Sequence, residues 1–172
     1  DGGFALSVGI HGTACEGILR FGGESLRNRF LPDLLAGRRQ AAFCLSEASS
    51  GSDAKVMNTT YRVDPSSGEY VISGSKYWIT NGLTADVFLV FARDAGGDDI
   101  SAFVVEKGGD GRFDQVKIPD KMGVRSSNTA ELVFEDLRVS SENRVGEEGR
   151  GFKYAMLMLN GGRVTIASQA VG

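Results

Sequence analysis

Histidine, cysteine and proline are scarce in this chain of 172 residues, which has one, two and three of them respectively. The two cysteines stand far apart without clustered histidines. This argues against a disulfide framework and a zinc site, and it favours a reducing compartment. Three prolines are too few for collagen or a proline-rich linker. The single histidine leaves one candidate base for a serine–histidine–aspartate catalytic set.

Strong charge and long apolar runs are also missing. The chain has 19 Lys and Arg against 22 Asp and Glu, a net charge of −3, so it lacks the composition of a strongly basic nucleic-acid-binding protein. No apolar run approaches the roughly 20 residues that span a bilayer, and the N-terminus shows no signal-peptide pattern. With 41% hydrophobic and 24% charged residues, the chain is expected to fold as a globular protein.

Glycine is abundant instead. It accounts for 24 of the 172 residues, about twice its usual share of ~7%, which predicts many tight turns. Asp1 stands directly before an apolar-periodic stretch, and residues 164–172 still follow a helical pattern. We therefore expect the chain to be part of a longer protein.

Helical patterns occupy the two ends of the chain. Apolar residues over 4–19 recur at helical spacing, and a second helix is expected over 24–35, with a kink or boundary at Pro32. Helical spacing returns from Phe152 onward. The pattern therefore predicts helices before about residue 40 and after about residue 146.

The middle of the chain has a β pattern. Short runs rich in β-formers are separated by glycine, asparagine, aspartate and serine. We predict strands over residues 41–45, 59–63, 69–73, 76–79, 87–93, 101–106, 113–118 and 130–139. The predicted fold class is therefore an α+β fragment of several domains, with a central β-barrel or sandwich over residues 41–145 and helical pieces over 1–40 and 146–172.

Two apparent active-site features have simpler explanations. His11 lies in a helical pattern, far in sequence from any strained serine turn, so we interpret it as a helix-face histidine with satisfied ring nitrogens. The glycine clusters at 108–111 and 146–151 match neither G-x-G-x-x-G after a strand nor G-x-x-x-x-G-K-S/T. We interpret both clusters as turns or helix entries.

A serine-rich segment after the first predicted strand is more informative. Over residues 44–54 the sequence is Cys-Leu-Ser-Glu-Ala-Ser-Ser-Gly-Ser-Asp-Ala, with hydroxyl groups at four positions around Gly51. Several hydroxyl and backbone N–H groups can converge there on a polar or phosphorylated ligand. Taken by itself, the segment is equally well explained as a solvated turn.

A second segment, Lys-Tyr-Trp-Ile-Thr-Asn-Gly over residues 76–82, contains the only tryptophan of the chain. Trp78 and Thr80 are two residues apart in a predicted strand, so their side chains are expected on the same face. A flat indole beside a hydroxyl suits one edge of a planar heterocycle.

Together these two segments resemble the acyl-CoA dehydrogenase flavoproteins. The first is similar to the family signature of a small or Cys residue, an aliphatic residue, Ser/Thr, Glu, two variable positions, a small residue, Gly, Ser/Thr and Asp. The second is similar to the family's W-I-T/S-N-G strand. The resemblance covers nearly the whole chain, in order and at family spacing, and continues through residues 121–125, 128–131, 134–136, 149–152 and 160–163.

The resemblance implies that FAD is the cofactor, and it assigns FAD binding to Phe43, Cys44, Leu45, Ser46, Gly51, Ser52, Trp78, Ile79 and Thr80. In that assignment Ser46 bonds the pyrimidine end of the flavin ring. Ser52 meets both the FAD pyrophosphate region and the CoA ligand, while Trp78 and Thr80 flank the ring. Besides Ser52, the implied acyl-CoA contacts are Asn160, Gly161, Gly162 and Arg163.

The implied reaction is the dehydrogenation of an acyl-CoA thioester to the trans-2-enoyl-CoA in fatty-acid β-oxidation. A carboxylate base takes the α-proton, and FAD takes the β-hydrogen as hydride. Most members carry the base Glu beyond the position of Gly172, and a minority carry it where this chain has Gly162. We therefore expect no catalytic residue in the chain and no activity from it alone. Glu47 is interpreted as a structural carboxylate bonded to backbone N–H groups.

The resemblance also implies partners and a compartment. Electron-transfer flavoprotein is the expected electron acceptor, and a homodimer or homotetramer is the expected assembly, with no nucleic-acid partner. The expected location is the mitochondrial matrix or inner membrane in a eukaryote and the cytoplasm in a bacterium. Residues 42–45, 85–88 and 91–92 favour the long-chain or very-long-chain branch. Alternative functions are an acyl-CoA oxidase and a catalytically idle assembly or scaffold protein.

Overall fold

The computed structural model describes every residue from Asp1 to Gly172. Its three helices are α1 (Gly2–Phe21), α2 (Glu24–Leu35) and α3 (Gly151–Val171). Its eight strands are β1 (Ala41–Cys44), β2 (Thr60–Val63), β3 (Tyr70–Thr80), β4 (Val87–Asp94), β5 (Ile100–Glu106), β6 (Arg112–Lys117), β7 (Thr129–Val139) and β8 (Arg144–Val145). The order of helices, strands and a final helix is the predicted order.

The predicted helices are confirmed, and of the two roles predicted for Pro32, a kink or a boundary, the boundary is excluded. Asp1 caps α1, because its carboxylate accepts hydrogen bonds from two N–H groups of the first turn. Pro32 lies inside α2 and is not a boundary, since the helix continues to Leu35. The buried side chains of Phe30, Leu31 and Leu34 flank it, and their packing outweighs the lost hydrogen bond. None of the three helices has the combination of length and hydropathy that a membrane span requires.

The strands form one mixed sheet in the order β6-β7-β3-β2-β4-β5-β8, with β1 paired parallel to β4. The strands at the two ends of this order, β6 and β8, do not pair, so the sheet is open. The predicted α+β fold class is confirmed, but of the two predicted arrangements, a barrel or a sandwich, the open sheet excludes a closed barrel. The physical reason is the length of β8, whose two residues offer too few backbone groups to close a barrel.

Two predicted strands, 69–73 and 76–79, are one continuous strand, β3. Gly74 lies between them at φ +139°, a conformation that favours glycine, and Thr59 packs against it at a distance that leaves no room for a Cβ. The pairing of β3 with β7 shifts register here and again between Lys76 and Ile79. The glycine that suggested a break is therefore a bulge within the strand.

The sheet has a core on each face, because successive strand residues point to opposite sides. On one side, residues of α1, α2 and α3 pack against strand residues such as Phe43 and Leu89. On the other, strand residues such as Cys44, Phe88 and Phe134 pack only with other sheet and loop residues. The terminal helices α1 and α3 share one core, and the division into three domains stays a prediction.

His11 connects three elements of the helical side. Its Nδ1 accepts a hydrogen bond from the N–H of Ala41 at 3.0 Å, and its Nε2 donates to the carbonyl oxygen of Leu34 at 3.2 Å. The ring therefore joins α1 to α2 and to β1. This confirms the interpretation of His11 as a histidine with satisfied ring nitrogens.

Replacing His11 with alanine is expected to lower the free energy of unfolding by roughly 1–3 kcal/mol, because the N–H of the buried Ala41 loses its acceptor. Urea denaturation measures the change. The control is Glu16→Ala on the exposed side of α1, which loses only an exposed pair with Arg20 and should cost less than about 1 kcal/mol. Equal effects of the two substitutions would contradict the structural role of His11.

Candidate functional site

A cleft of about 320 Å³ lies where the loop after β1, the end of β3, and helices α1 and α3 meet. Its lining residues are Ile10, Phe43, Leu45, Ser46, Gly51, Ser52, Ala54, Trp78, Ile79, Thr80, Met156, Leu159 and Arg163. The fold thus brings the serine-rich segment and the tryptophan segment to one place. Arg163, predicted as a substrate contact, joins them from α3.

Some predicted site residues lie elsewhere. The side chain of Cys44 packs into the core on the other face of the sheet, because it alternates with its neighbours Phe43 and Leu45 along the chain. Burial raises the pKa of its thiol far above the ordinary value, so Cys44 is an inert core residue. Asn160 and Gly161 do not line the cleft, and Gly162 lines a neighbouring groove.

The hydroxyl groups of the serine-rich loop divide into two sets. Ser50 donates to the carbonyl oxygen of Asp53 at 2.8 Å, and the Ser49 hydroxyl accepts from the side-chain amide of Asn58 at 2.9 Å. By contrast, the hydroxyls of Ser46 and Ser52 make no hydrogen bond within the protein, and both residues line the cleft. The loop therefore offers two free hydroxyls to a ligand.

Trp78 stands at the mouth of this cleft with 56% of its surface exposed. Its φ is +62°, an outlier for a bulky side chain, and the register shift of β3 falls around it. The ring meets Tyr77 edge to face at 5.3 Å. Both Trp78 and Thr80 line the cleft. Regular alternation along the strand would bring Lys76 to the cleft as well, but Lys76 is fully buried and does not line it. Alternation alone therefore does not explain where Trp78 and Thr80 lie.

A buried ion pair lies beside the cleft. The Lys76 ammonium donates to Glu47 Oε1 at 2.8 Å and to the Leu45 carbonyl oxygen at 3.2 Å. Glu47 also accepts from the backbone N–H groups of Asn58 at 2.6 Å and Thr59 at 3.0 Å, which confirms its predicted structural role.

This environment changes the pKa of both partners. Burial alone would raise the pKa of the Glu47 carboxyl, but the Lys76 ammonium and the two backbone donors outweigh burial and hold it below the ordinary value. Burial lowers the pKa of the Lys76 ammonium, and Glu47 opposes that effect. Sequence reasoning missed Lys76 as the partner of Glu47. A lysine two residues before the tryptophan, in a strand otherwise poor in charge, was the available signal.

A second groove of about 440 Å³ runs between α1 and α3, and shares Ile10, Phe43, Leu159 and Arg163 with the cleft. It is mostly apolar. The Arg163 guanidinium stands at the junction, donates to Asn160 Oδ1 at 2.9 Å and forms no ion pair. No aspartate or glutamate lines the cleft or the groove. The arrangement can bind and orient a ligand, but it offers no carboxylate for proton abstraction.

Comparison with known proteins gives a consistent result. The sequence model of the acyl-CoA dehydrogenase middle domain matches residues 42–137. The short-chain-specific acyl-CoA dehydrogenase of Megasphaera elsdenii is 42% identical over 176 residues, and the human mitochondrial very long-chain specific acyl-CoA dehydrogenase is 43% identical over 181 residues. Each match covers 100% of this chain, but only 45% and 28% of the respective relative. Relatives of both chain-length classes are thus about equally similar.

Solved structures show the same similarity. Butyryl-CoA dehydrogenase from Megasphaera elsdenii superposes with a TM-score of 0.94 at 41% identity, over 99% of this chain and 45% of that chain. An acyl-CoA dehydrogenase complexed with FAD, from Bacillus anthracis, superposes with a TM-score of 0.91 at 39% identity, over 98% of this chain and 29% of that chain. The chain therefore spans less than half the length of these proteins.

The ion pair at Glu47 predicts a pH dependence of stability. Because the folded pKa of Glu47 lies below its unfolded value of about 4.3, its contribution is fully present above that pH and is lost as pH falls through the folded pKa. Glu47→Gln is expected to be less stable by about 3 kcal/mol at pH 7, and this difference should shrink below about pH 4. Urea denaturation across pH measures it, with Glu16→Gln as an exposed control. A difference that stays constant down to acid pH would contradict the ion pair.

Proposed function

This chain belongs to the acyl-CoA dehydrogenase family, and from that premise we propose that it binds FAD and an acyl-CoA thioester for dehydrogenation to the trans-2-enoyl-CoA. The observation that carries the proposal is the cleft in which Ser46, Ser52, Trp78 and Thr80 meet Arg163. Two free hydroxyls and an exposed indole face this cleft, and an apolar groove continues from it. Such a combination suits a planar polar cofactor next to an acyl chain.

The residues present fit FAD. Phe43, Leu45 and Ile79 give the cleft apolar walls, and Trp78 adds an exposed aromatic surface suited to a flat ring system. The hydroxyls of Ser46 and Ser52 are free to bond polar atoms of the cofactor. When bound, FAD would supply the two-electron acceptor for a hydride from the acyl chain.

The groove beside the cleft suits the acyl chain of the substrate. Its walls come from α1 and α3 and include Leu6, Ile10 and Ile166. Arg163 lies where the groove meets the cleft, so its guanidinium can bond an oxygen of the thioester ligand. Acyl chains of different length would fill different parts of the same groove, and the long-chain or very-long-chain branch stays our prediction for this protein.

The residues around the cleft bind and orient, and none of them can act as the base. Removal of an α-proton requires a positioned base, and the carboxylate of Glu47 in the serine-rich segment is already held by Lys76 and two backbone N–H groups. We propose that these 172 residues alone form an inactive complex. The proposed role in β-oxidation, the electron-transfer flavoprotein acceptor and a homodimer or homotetramer rest on the family resemblance.

The FAD site is tested by combining Trp78→Ala with Ser52→Ala. The double variant should bind FAD at least tenfold more weakly, which corresponds to ~1.4 kcal/mol, because it loses an aromatic surface and a free hydroxyl. Titration of the chain with excess FAD, followed by flavin fluorescence, measures the affinity. The matched control is Ser49→Ala, since that hydroxyl belongs to the same loop but bonds Asn58. Absence of FAD binding by the wild type, or equal affinity of all variants, would contradict the proposal.

The substrate site is tested by anaerobic titration of the FAD-loaded chain with acyl-CoA thioesters from short to very long. We expect the flavin absorbance to shift without bleaching, since no carboxylate lines the site. Arg163→Ala should weaken acyl-CoA binding about tenfold, or by ~1.4 kcal/mol, whereas the control Lys153→Ala on the same helix should not. Bleaching that responds to Glu47→Gln would show instead that Glu47 is a base.

A further inference from the structure

The loop after β1 is joined to β3 by three consecutive residues. The backbone carbonyl of Leu45 and the carboxylate of Glu47 accept from the Lys76 ammonium at 3.2 Å and 2.8 Å, and the carbonyl of Ser46 accepts from the N–H of Tyr77 at 2.8 Å. The ion-pair side chains are 0% and 4% exposed. We call these five residues the Lys76 clamp.

The clamp is anchored on its far side as well. The Glu47 carboxylate accepts from the backbone N–H groups of Asn58 and Thr59, just before β2. The Thr59 hydroxyl in turn donates to the carbonyl oxygen of Ser75, next to Lys76 in β3. The carboxylate therefore connects three segments, namely the loop after β1, the segment before β2, and β3 itself. A shift of any one of these segments would break a bond to a buried charge.

The next residue after the clamp is the strained one. Trp78 has φ +62°, and regular pairing with β7 resumes only at Ile79, opposite Ala130. A bulky residue keeps such a conformation only where its surroundings impose it. The clamp fixes the chain immediately before Trp78, and the pairing of Ile79 fixes it immediately after.

We propose that Lys76 and Glu47 are positioning residues that hold the bulge at Trp78 and so set the position of the indole in the cleft that Ser46 also lines. An ion pair suits this task better than apolar packing would. Burial of two charges adds little net stability, but leaving one of them without its partner is costly, so any displacement that separates Lys76 from Glu47 is unfavourable. The proposal rests on the proposed function only for the ligand, because the placement of Trp78 is a property of the chain alone.

The single tryptophan allows a direct test without cofactor. The double variant Lys76→Met with Glu47→Gln removes both charges at similar volume. We expect its near-ultraviolet circular dichroism from the indole, around 290 nm, to fall by at least half while the far-ultraviolet spectrum is unchanged. Its affinity for added FAD should fall at least tenfold. Glu47→Gln alone retains an oxygen acceptor for Lys76 and should give a smaller loss, which provides a second variant should the double variant not fold.

The matched control removes another ion pair, one that lies at the turn leading into β3. Asp64→Asn with Arg138→Met breaks a 2.8 Å pair at the turn before β3 and should leave the indole signal intact. A folded clamp variant with the wild-type indole signal, or a loss no larger than that of the control, would overturn the proposal. If the wild type binds no FAD but the double variant shows the expected loss of indole signal, FAD binding by this chain is refuted and the positioning role of Lys76 and Glu47 stands.

Discussion

The Lys76 ammonium has no access to water, and it is accommodated only because the Glu47 carboxylate and the Leu45 carbonyl surround it. An unpaired charge in that position would be very unfavourable. Separation of the loop after β1 from the strand β3 would leave such a charge, so the ion pair holds the two segments together. Both the loop and the strand that meet at this contact line the cleft. The free hydroxyl of Ser46 and the exposed ring of Trp78 are consequences of where the pair places the backbone.

The surrounding sheet supports this contact from both faces. β1 is buried on each side, with Phe43 facing the helices and Cys44 facing the second core. Its parallel pairing with β4, itself almost entirely buried, gives the loop that follows a rigid base. His11 lies on α1 and connects it to α2 and to the start of β1, so α1, which forms one wall of the groove, and the strand that carries the loop are held in one unit.

The cleft and the groove offer surfaces suited to a ligand, but no carboxylate that could serve as a catalytic base. The cleft and groove contain apolar walls, hydroxyls and one guanidinium, but no carboxylate. An enzyme that removes a proton and a hydride from one substrate must bind the substrate, accept the electrons and supply a base. Different residues or groups can meet each of these three requirements. In the proposed function, the residues of the cleft and groove serve the first requirement and, with FAD bound, would support the second.

The sequence by itself determined the helices, most of the strands, the family and most of the residues that meet in the cleft, because these follow from local periodicity and from motifs with fixed spacing. It also identified Glu47 as a structural carboxylate. Only the tertiary structure decided that β3 continues through Gly74, that the sheet stays open, that Cys44 turns away from the cleft and that Lys76 is the partner of Glu47. Each of these depends on which distant segments pack together, such as Thr59 against Gly74, and local spacing carries no information about such contacts.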